Sequence, residues 1–269
     1  MRPEIVTGIG IEGEAMATLA VVILTKNEEK NIEACIKSAS FADDILVVDS
    51  GSEDRTEIIA KAAGARFILH PMGEDGFAGQ RNFALQHISA DWVFYLDADE
   101  RITPEAAASI QSIVAENPGC AYRVKRMNIV FGKMMYYGGH RPDYSDRLFP
   151  RDAVHWEGYV HEVAVCSLPQ KIVDGTLHHY TYTTWSQYME KLNKYTSMAA
   201  ESSFKRGKKI GAAGIFAHSW FAFFKLYILK QGFRDGYYGL VMSVMAGIYD
   251  FVKYLKLYNM RANKQKVGD

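Results

Sequence analysis

An open α/β fold on a mostly parallel central sheet, followed by a helical C-terminal extension, is predicted by three observations. Short apolar runs alternate with helical segments as far as Glu116, and that alternation implies right-handed crossovers between parallel strands. The sharpest run, Trp92-Val93-Phe94-Tyr95-Leu96, stops in Asp97-Ala98-Asp99-Glu100. This sets carboxylates at the C-terminal end of a buried strand, where open α/β sheets keep their ligand crevices. From Trp185 onward the periodicity is helical, without proline and with a long aromatic stripe.

Taken in order, Leu19 to Leu24 reads as a buried strand, followed by Thr25-Lys26-Asn27-Glu28 and a helix from about Asn31 to Ser38. Ile45 to Val48 is the second strand and ends in Asp49-Ser50-Gly51-Ser52. Ser52 or Asp54 then caps a helix to about Ala63, because a short side-chain oxygen satisfies the first free N–H groups. Arg66 to Leu69 is a third strand, and Gly73 to Gly79 is a glycine-rich loop before a helix holding Gln80, Arg81 and Asn82. After the Trp92 strand, Thr103 or Asp99 caps a helix that Pro104 opens and that ends at Glu116. Ala121 to Val130 and Met134 to Tyr137 read as paired strands; loops rich in Tyr, His and Gly run to about Tyr182, with one apolar strand at Lys171 to Leu177.

At 269 residues and 48% hydrophobic, the chain can bury a large core. Lys plus Arg and Asp plus Glu both number 31, so nucleic-acid binding is not expected. The charge is unevenly placed: Glu201 to Asp269 holds 12 basic and 4 acidic residues, a net of +8 against −8 for the remainder. Cys35, Cys120 and Cys166 are odd in number and far apart, which favours neither a disulfide framework nor a zinc site and suits a reducing compartment. Residues 1–18 lack the apolar core of a signal peptide and read as a loose extension, with Met16 as a candidate start.

Three strand ends, Thr25-Asn27-Glu28, Asp49 and Asp97-Asp99, are expected to converge on one sheet edge. An acid at the end of the second strand suits a uracil N3–H or a ribose hydroxyl. Carboxylates at the fourth suit an oxygen-ligated Mg²⁺ or Mn²⁺ holding a diphosphate.

The stretches Val22-Ile23-Leu24-Thr25-Lys26-Asn27-Glu28, Val47-Val48-Asp49-Ser50-Gly51-Ser52-Glu53-Asp54-Arg55-Thr56, Gln80-Arg81-Asn82 and Leu96-Asp97-Ala98-Asp99-Glu100 resemble the successive signatures of family 2 glycosyltransferases. Further on, Arg147-Leu148-Phe149, Val160-His161-Glu162 and Gly232-Phe233-Arg234-Asp235-Gly236 resemble the branch of lipopolysaccharide inner-core β-1,4-glucosyltransferases. The resemblance implies a GT-A fold, a UDP-sugar donor, and inversion at the anomeric carbon. It divides the chain into a catalytic domain at 19–184, with a nucleotide-binding half (19–105) and an acceptor-binding half (106–184), and a basic, aromatic segment at 185–269. It implies that Thr25 and Asp49 contact uridine, that Asn27, Glu28 and Arg81 help hold the nucleotide, that Asp97 and Ala98 lie near ribose or donor sugar, and that Asp99, with Asp97, binds the metal. A metal and an Arg aimed at the departing UDP stabilise the charge it develops.

Inversion also needs a base for the acceptor hydroxyl. Glu162 is the leading candidate, with Glu157 and Asp146 as alternatives and a salt bridge from Glu162 to Arg147 as its structural role. His178 or His179 is a candidate metal ligand, and His155 and His161 are weaker ones. Trp156 and Tyr159 are candidates for stacking on sugar, with core packing the default for one of them.

Ile210 to Phe224 carries no formal charge but includes His218, Ser219 and two glycines, and it falls short of a spanning helix, so a transmembrane segment is not expected. The segment is expected either to pack as a bundle on the catalytic domain or to lie on anionic lipid, since Lys205, Arg206, Lys208 and Lys209 precede it and Lys225 and Lys230 follow. The expected function is metal-dependent transfer of a hexose, glucose above all, from a UDP-sugar to a lipid-linked saccharide such as the lipopolysaccharide inner core, on the inner face of the cytoplasmic membrane. The alternatives are another acceptor, such as polyprenyl phosphate or a different cell-surface glycan, and a non-catalytic nucleotide-sugar-binding module. A nucleotidyltransferase would carry a glycine-rich loop after the first strand, and Thr25-Lys26-Asn27-Glu28 is not one.

Overall fold

The structure is a computed structural model that describes residues 16–158 and 162–267, with side chains to 263. Tyr159 and His161, and nearly all of the expected N-terminal extension, lie outside the described residues.

Every residue of β1 (Leu19–Thr25) is buried, and its alternate residues enter two different cores. Leu19, Val21 and Ile23 pack on one side of the sheet with Trp92, Phe94 and Leu96. Ala20, Val22 and Leu24 pack on the other with Val93 and Tyr95. A strand covered on both faces has no use for polar side chains, which is why it reads as a continuous apolar run. The first half is built as expected: β1, α1 (Ile32–Ser38), β2 (Asp44–Asp49), α2 (Thr56–Ala62), β3 (Arg66–Leu69), α3 (Gly76–Leu85) and β4 (Trp92–Asp97). Its four strands are all parallel, in the order β3-β2-β1-β4. Their C-terminal ends therefore share one edge.

Two details differ. Helix α3 starts inside the expected glycine loop, where Gly79 lies against the Asp75 carboxylate, leaving no room for a Cβ. Ser52 does not cap α2; Asp54 Oδ1 accepts from Thr56 N at 3.0 Å, and Ser52 serves another loop.

A short β5 (Glu100–Ile102) follows, then α4 (Pro104–Glu116), capped by Thr103 Oγ1 on Ala106 N, with Pro104 at its first position. The second half contains more strand than expected. β6 (Ala121–Val130), β7 (Lys133–Met134), β8 (Asp143–Pro150) and β11 (Gln170–Tyr182) extend the sheet in the order β4-β8-β6-β11-β5, and β9 (His155–Glu157) pairs separately with β10 (Val163–Val165). Of the expected strand at Met134 to Tyr137 only Met134 is in a strand, together with Lys133 in the two-residue β7. Strand β6 and the middle of β11 are as expected; β8, β9, β10 and the C-terminal end of β11 escaped the sequence reading because polar side chains such as Asp143, Ser145, His179 and Thr181 break the apolar run.

The C-terminal segment forms a helical unit: α5 (Trp185–Lys205), α6 (Ala212–Phe224), and α7 (Gly236–Val267) packed between them. Helix α6 continues through a π-helical turn at Lys225–Leu229. The bundle is thus present, but the exclusion of a span needs correction. Ala212–Leu229 is an 18-residue stretch of mean hydropathy 1.4, only 6% of it buried, and by length and composition it is long and apolar enough to cross a membrane. Continuation past Phe224 supplies the length that the charge-free run alone lacks.

Candidate active site

A cleft of about 690 Å³ opens along the shared strand edge. Thr25 at the end of β1, Asn27 and Glu28 from the loop after it, Arg81 of α3, Asp97 at the end of β4, and Ala98 and Asp99 just beyond all line it, together with Glu162 and His179. The loops at this edge are stapled to one another. Asn27, in a left-handed conformation, donates its N–H to Ser52 Oγ at 2.7 Å and accepts from Glu53 N at 2.8 Å, and Glu28 N donates to Thr56 Oγ1. Asp49 organises this junction. Its Oδ1 accepts from Gly51 N and Ser52 N, and its Oδ2 from Ser52 Oγ. Buried Thr25, on the cleft wall, has a hydroxyl without a hydrogen-bond partner among the described residues.

The two aspartates of the acidic turn have different partners. Asp97 accepts from Arg147 Nη2 at 2.8 Å and from Arg81 Nη2 at 3.3 Å. Burial pushes its carboxyl up, but the two guanidinium charges outweigh burial and hold it well below the usual carboxylate range. Arg147 Nη2 also meets Glu100 Oε1 at 2.7 Å, and burial raises the Glu100 carboxyl. Burial likewise raises that of Glu28, against the opposing hydrogen bond from Asn31.

Asp99 instead faces His179, with Oδ2 and Nε2 3.3 Å apart. The side-chain amide of Asn128 donates to the carbonyls of His140 and Arg141, so its oxygen is the group that meets His179 Nδ1 at 2.8 Å. This network assigns the imidazole proton to Nδ1 and leaves a lone pair on Nε2. Two acceptors then face each other, an arrangement that requires a proton or a cation between them. Among the described residues no third His, Cys, Asp or Glu completes a cage. His178, its neighbour on the strand, does not line the cleft.

Glu162 lies at a junction. It lines both the main cleft and a smaller polar cavity of about 270 Å³, which also takes in Arg126, Tyr144, Asp146 and Trp156. Its ion pair is with Arg81 at 3.3 Å, not with Arg147. The Arg81 guanidinium lies over the rings of Trp156 and Tyr95, at 4.6 and 5.3 Å, and Trp156 belongs to the core beneath it. Of the other candidate bases, Asp146 is paired with Arg123 and Gln170, and exposed Glu157 is paired with exposed His155.

The sequence reading missed Asn128, the linking role of Arg147, and the contribution of α5, whose Lys191, Lys194 and Tyr195 line the cleft. The i, i+3, i+4 spacing of those three residues was the available signal.

Residues 20–148 match Glycosyl transferase family 2, and that stretch of the chain is a glycosyltransferase domain of the family on the α/β sheet described above. Over 92% of its length it is 29% identical to the lipopolysaccharide core biosynthesis glycosyltransferase LpsC of Rhizobium meliloti (strain 1021), covering 94% of that protein. Over 94% of its length it is 28% identical to an uncharacterized glycosyltransferase of Rickettsia prowazekii (strain Madrid E), covering 90% of it. Among solved structures, glucosyl-3-phosphoglycerate synthase from Mycobacterium tuberculosis, in complex with Mn²⁺, UDP and glucosyl-3-phosphoglycerate, matches 43% of this chain at 28% identity with a TM-score of 0.35. The match spans 45% of that enzyme's chain.

Proposed function

We propose that this chain is a metal-dependent, inverting glycosyltransferase that moves a hexose, glucose, from a UDP-sugar to a lipid-linked saccharide of the lipopolysaccharide inner-core type, at the inner face of the cytoplasmic membrane. The observation that carries this reading is the position of Glu162, a carboxylate shared by the large cleft and the smaller polar cavity. A donor in the first and an acceptor hydroxyl in the second would meet at that carboxylate. The likeness to a lipopolysaccharide core glycosyltransferase over nearly the whole chain supports the acceptor class.

In this reading Thr25 and Asp49 serve the uridine end, Thr25 with its unpartnered hydroxyl and Asp49 by fixing the loop. Asn27 and Glu28 bound the nucleotide, and Asp97 holds Arg81 and Arg147 beside the donor sugar. Asp99 and His179 fit a divalent cation, Mn²⁺ or Mg²⁺, because a hard carboxylate oxygen and an imidazole lone pair already face one another. Such an ion, when bound, supplies positive charge to the diphosphate that leaves. Glu162 removes the proton from the acceptor hydroxyl, and Arg81 orients its carboxylate.

Calorimetric titration of UDP with and without Mn²⁺ tests the donor site, followed by UDP release from UDP-glucose with a truncated core acceptor. The expected result is metal-enhanced UDP binding and acceptor-stimulated release. UDP binding that metal leaves unchanged would overturn the reading.

A further inference from the structure

We propose that the outer face of the α6–α7 hairpin lies in the plane of an anionic bilayer rather than crossing it. The inference deepens the membrane location proposed above. Phe216, Trp220 and Phe223 of α6 share one apolar groove with Val244, Ile248 and Phe251 of α7, so the exposed stripes of both helices form one surface. Trp220 is 68% exposed, and Phe221, Leu229 and Tyr237 continue the surface. A patch this large and aromatic needs a partner.

Charge selects the partner. Lys205, Arg206, Lys208 and Lys209 stand at one end of the apolar stretch, and Lys225, Lys230 and Arg234 at the other. Among the described residues none of these seven pairs with a carboxylate. An apolar strip with cations at both ends matches a surface with acyl chains below and anionic headgroups around it. A soluble protein partner would have to supply acids at both ends of one groove.

The anchoring of the hairpin selects the orientation. At its tip, Asp235 accepts from the N–H groups of Tyr136 and Tyr137, and the Lys230 carbonyl accepts from Gly138 N at 2.9 Å. At its other end, α7 is bound to α5 through Lys256, which donates to Asn193, Thr196 and Ser197. Both ends are therefore tied to the rest of the protein on one side. Crossing the bilayer would break one set of these bonds and draw Lys230 and Arg234 through hydrocarbon, whereas lying flat breaks none.

The test uses the full chain with vesicles of phosphatidylcholine, with or without phosphatidylglycerol, at low and high salt. Flotation is expected only with the anionic lipid, and high salt should weaken it. Trp220 fluorescence should be quenched more by bromines placed shallow on the acyl chain than by bromines near the chain end. Trp220→Glu should reduce binding at least tenfold, and Lys205→Ala with Lys209→Ala about as much, while circular dichroism and UDP affinity stay unchanged. Unaltered flotation of Trp220→Glu, strongest quenching at the bilayer centre, or a dimer that buries this face and ignores vesicles would each overturn the proposal. UDP affinity, measured on the same samples, reports separately on the donor-site reading.

Discussion

Arg147 and Glu100 form a fully buried ion pair, 2.7 Å long, directly behind the end of β4, and the same guanidinium nitrogen reaches Asp97. Truncating one partner strands the others. Arg147→Met should therefore cost about 3–5 kcal/mol in urea unfolding at neutral pH, the usual result of leaving buried charge unpaired. A cost under about 1 kcal/mol would show that the carboxylates find other partners.

The other partner of Arg147, Asp97, carries a pH signature. The Asp97 carboxyl is depressed in the folded protein, so its contribution is complete above the unfolded value of about 3.9 and is lost as pH falls through the folded value. The stability difference between wild type and Arg147→Met should be largest near neutral pH and narrow as pH falls, because Glu100, already raised by burial, and Asp97 take up protons earlier once Arg147 is gone. Urea midpoints across an acid series read this directly.

Asn128→Leu removes the acceptor that keeps the His179 proton on Nδ1. Nitrogen-15 chemical shifts of the imidazole should change from the Nδ1–H tautomer to a mixture, and Mn²⁺ enhancement of UDP binding should fall about 10- to 100-fold, the usual weight of a group that orients a metal ligand. Unchanged shifts would place the control of His179 elsewhere.

Glu162→Gln keeps shape but cannot take a proton. Transfer should fall by about 10² to 10⁴, with UDP affinity within a few-fold of wild type. Asp146→Asn and Glu157→Gln, assayed beside it, should retain most of the activity, because their carboxylates are engaged by Arg123 and His155. Near-normal transfer by Glu162→Gln would move the base to one of them.

Lys194 stands on the cleft wall without an ion pair among the described residues, beside Lys191, which donates to the Thr181 carbonyl. Lys194→Ala should weaken binding of an anionic nucleotide several-fold at low salt and less at high salt, since an exposed charge is screened. A salt-independent loss would point to packing instead.

The parallel half of the fold was legible because strands covered on both faces leave a continuous apolar signal, as β1 and β4 do. The strand ends carried the site candidates with them. What the sequence hid was long-range. His179 meets Asp99 only because β11 passes antiparallel to β5, pairing His179 with Glu100, and no local pattern encodes that register. Arg147 reaches Asp97 through the antiparallel pairing of β8 with β4. The spacing of Lys191, Lys194 and Tyr195 marks one face of α5, but that this face closes the cleft depends on how the helix docks.

The firm seating of α5 has a geometric consequence. Tyr195 lines the cleft and Lys205 ends the same helix, so with a rise of about 1.5 Å per residue the cleft wall and the first of the basic residues are separated by a rigid distance of roughly 15 Å. With the hairpin flat on lipid, that helix acts as a gauge. For the lipid-linked acceptor proposed above, it would set the height above the headgroups at which a sugar is received, and so select an acceptor by how many residues already stand between its lipid and its free hydroxyl.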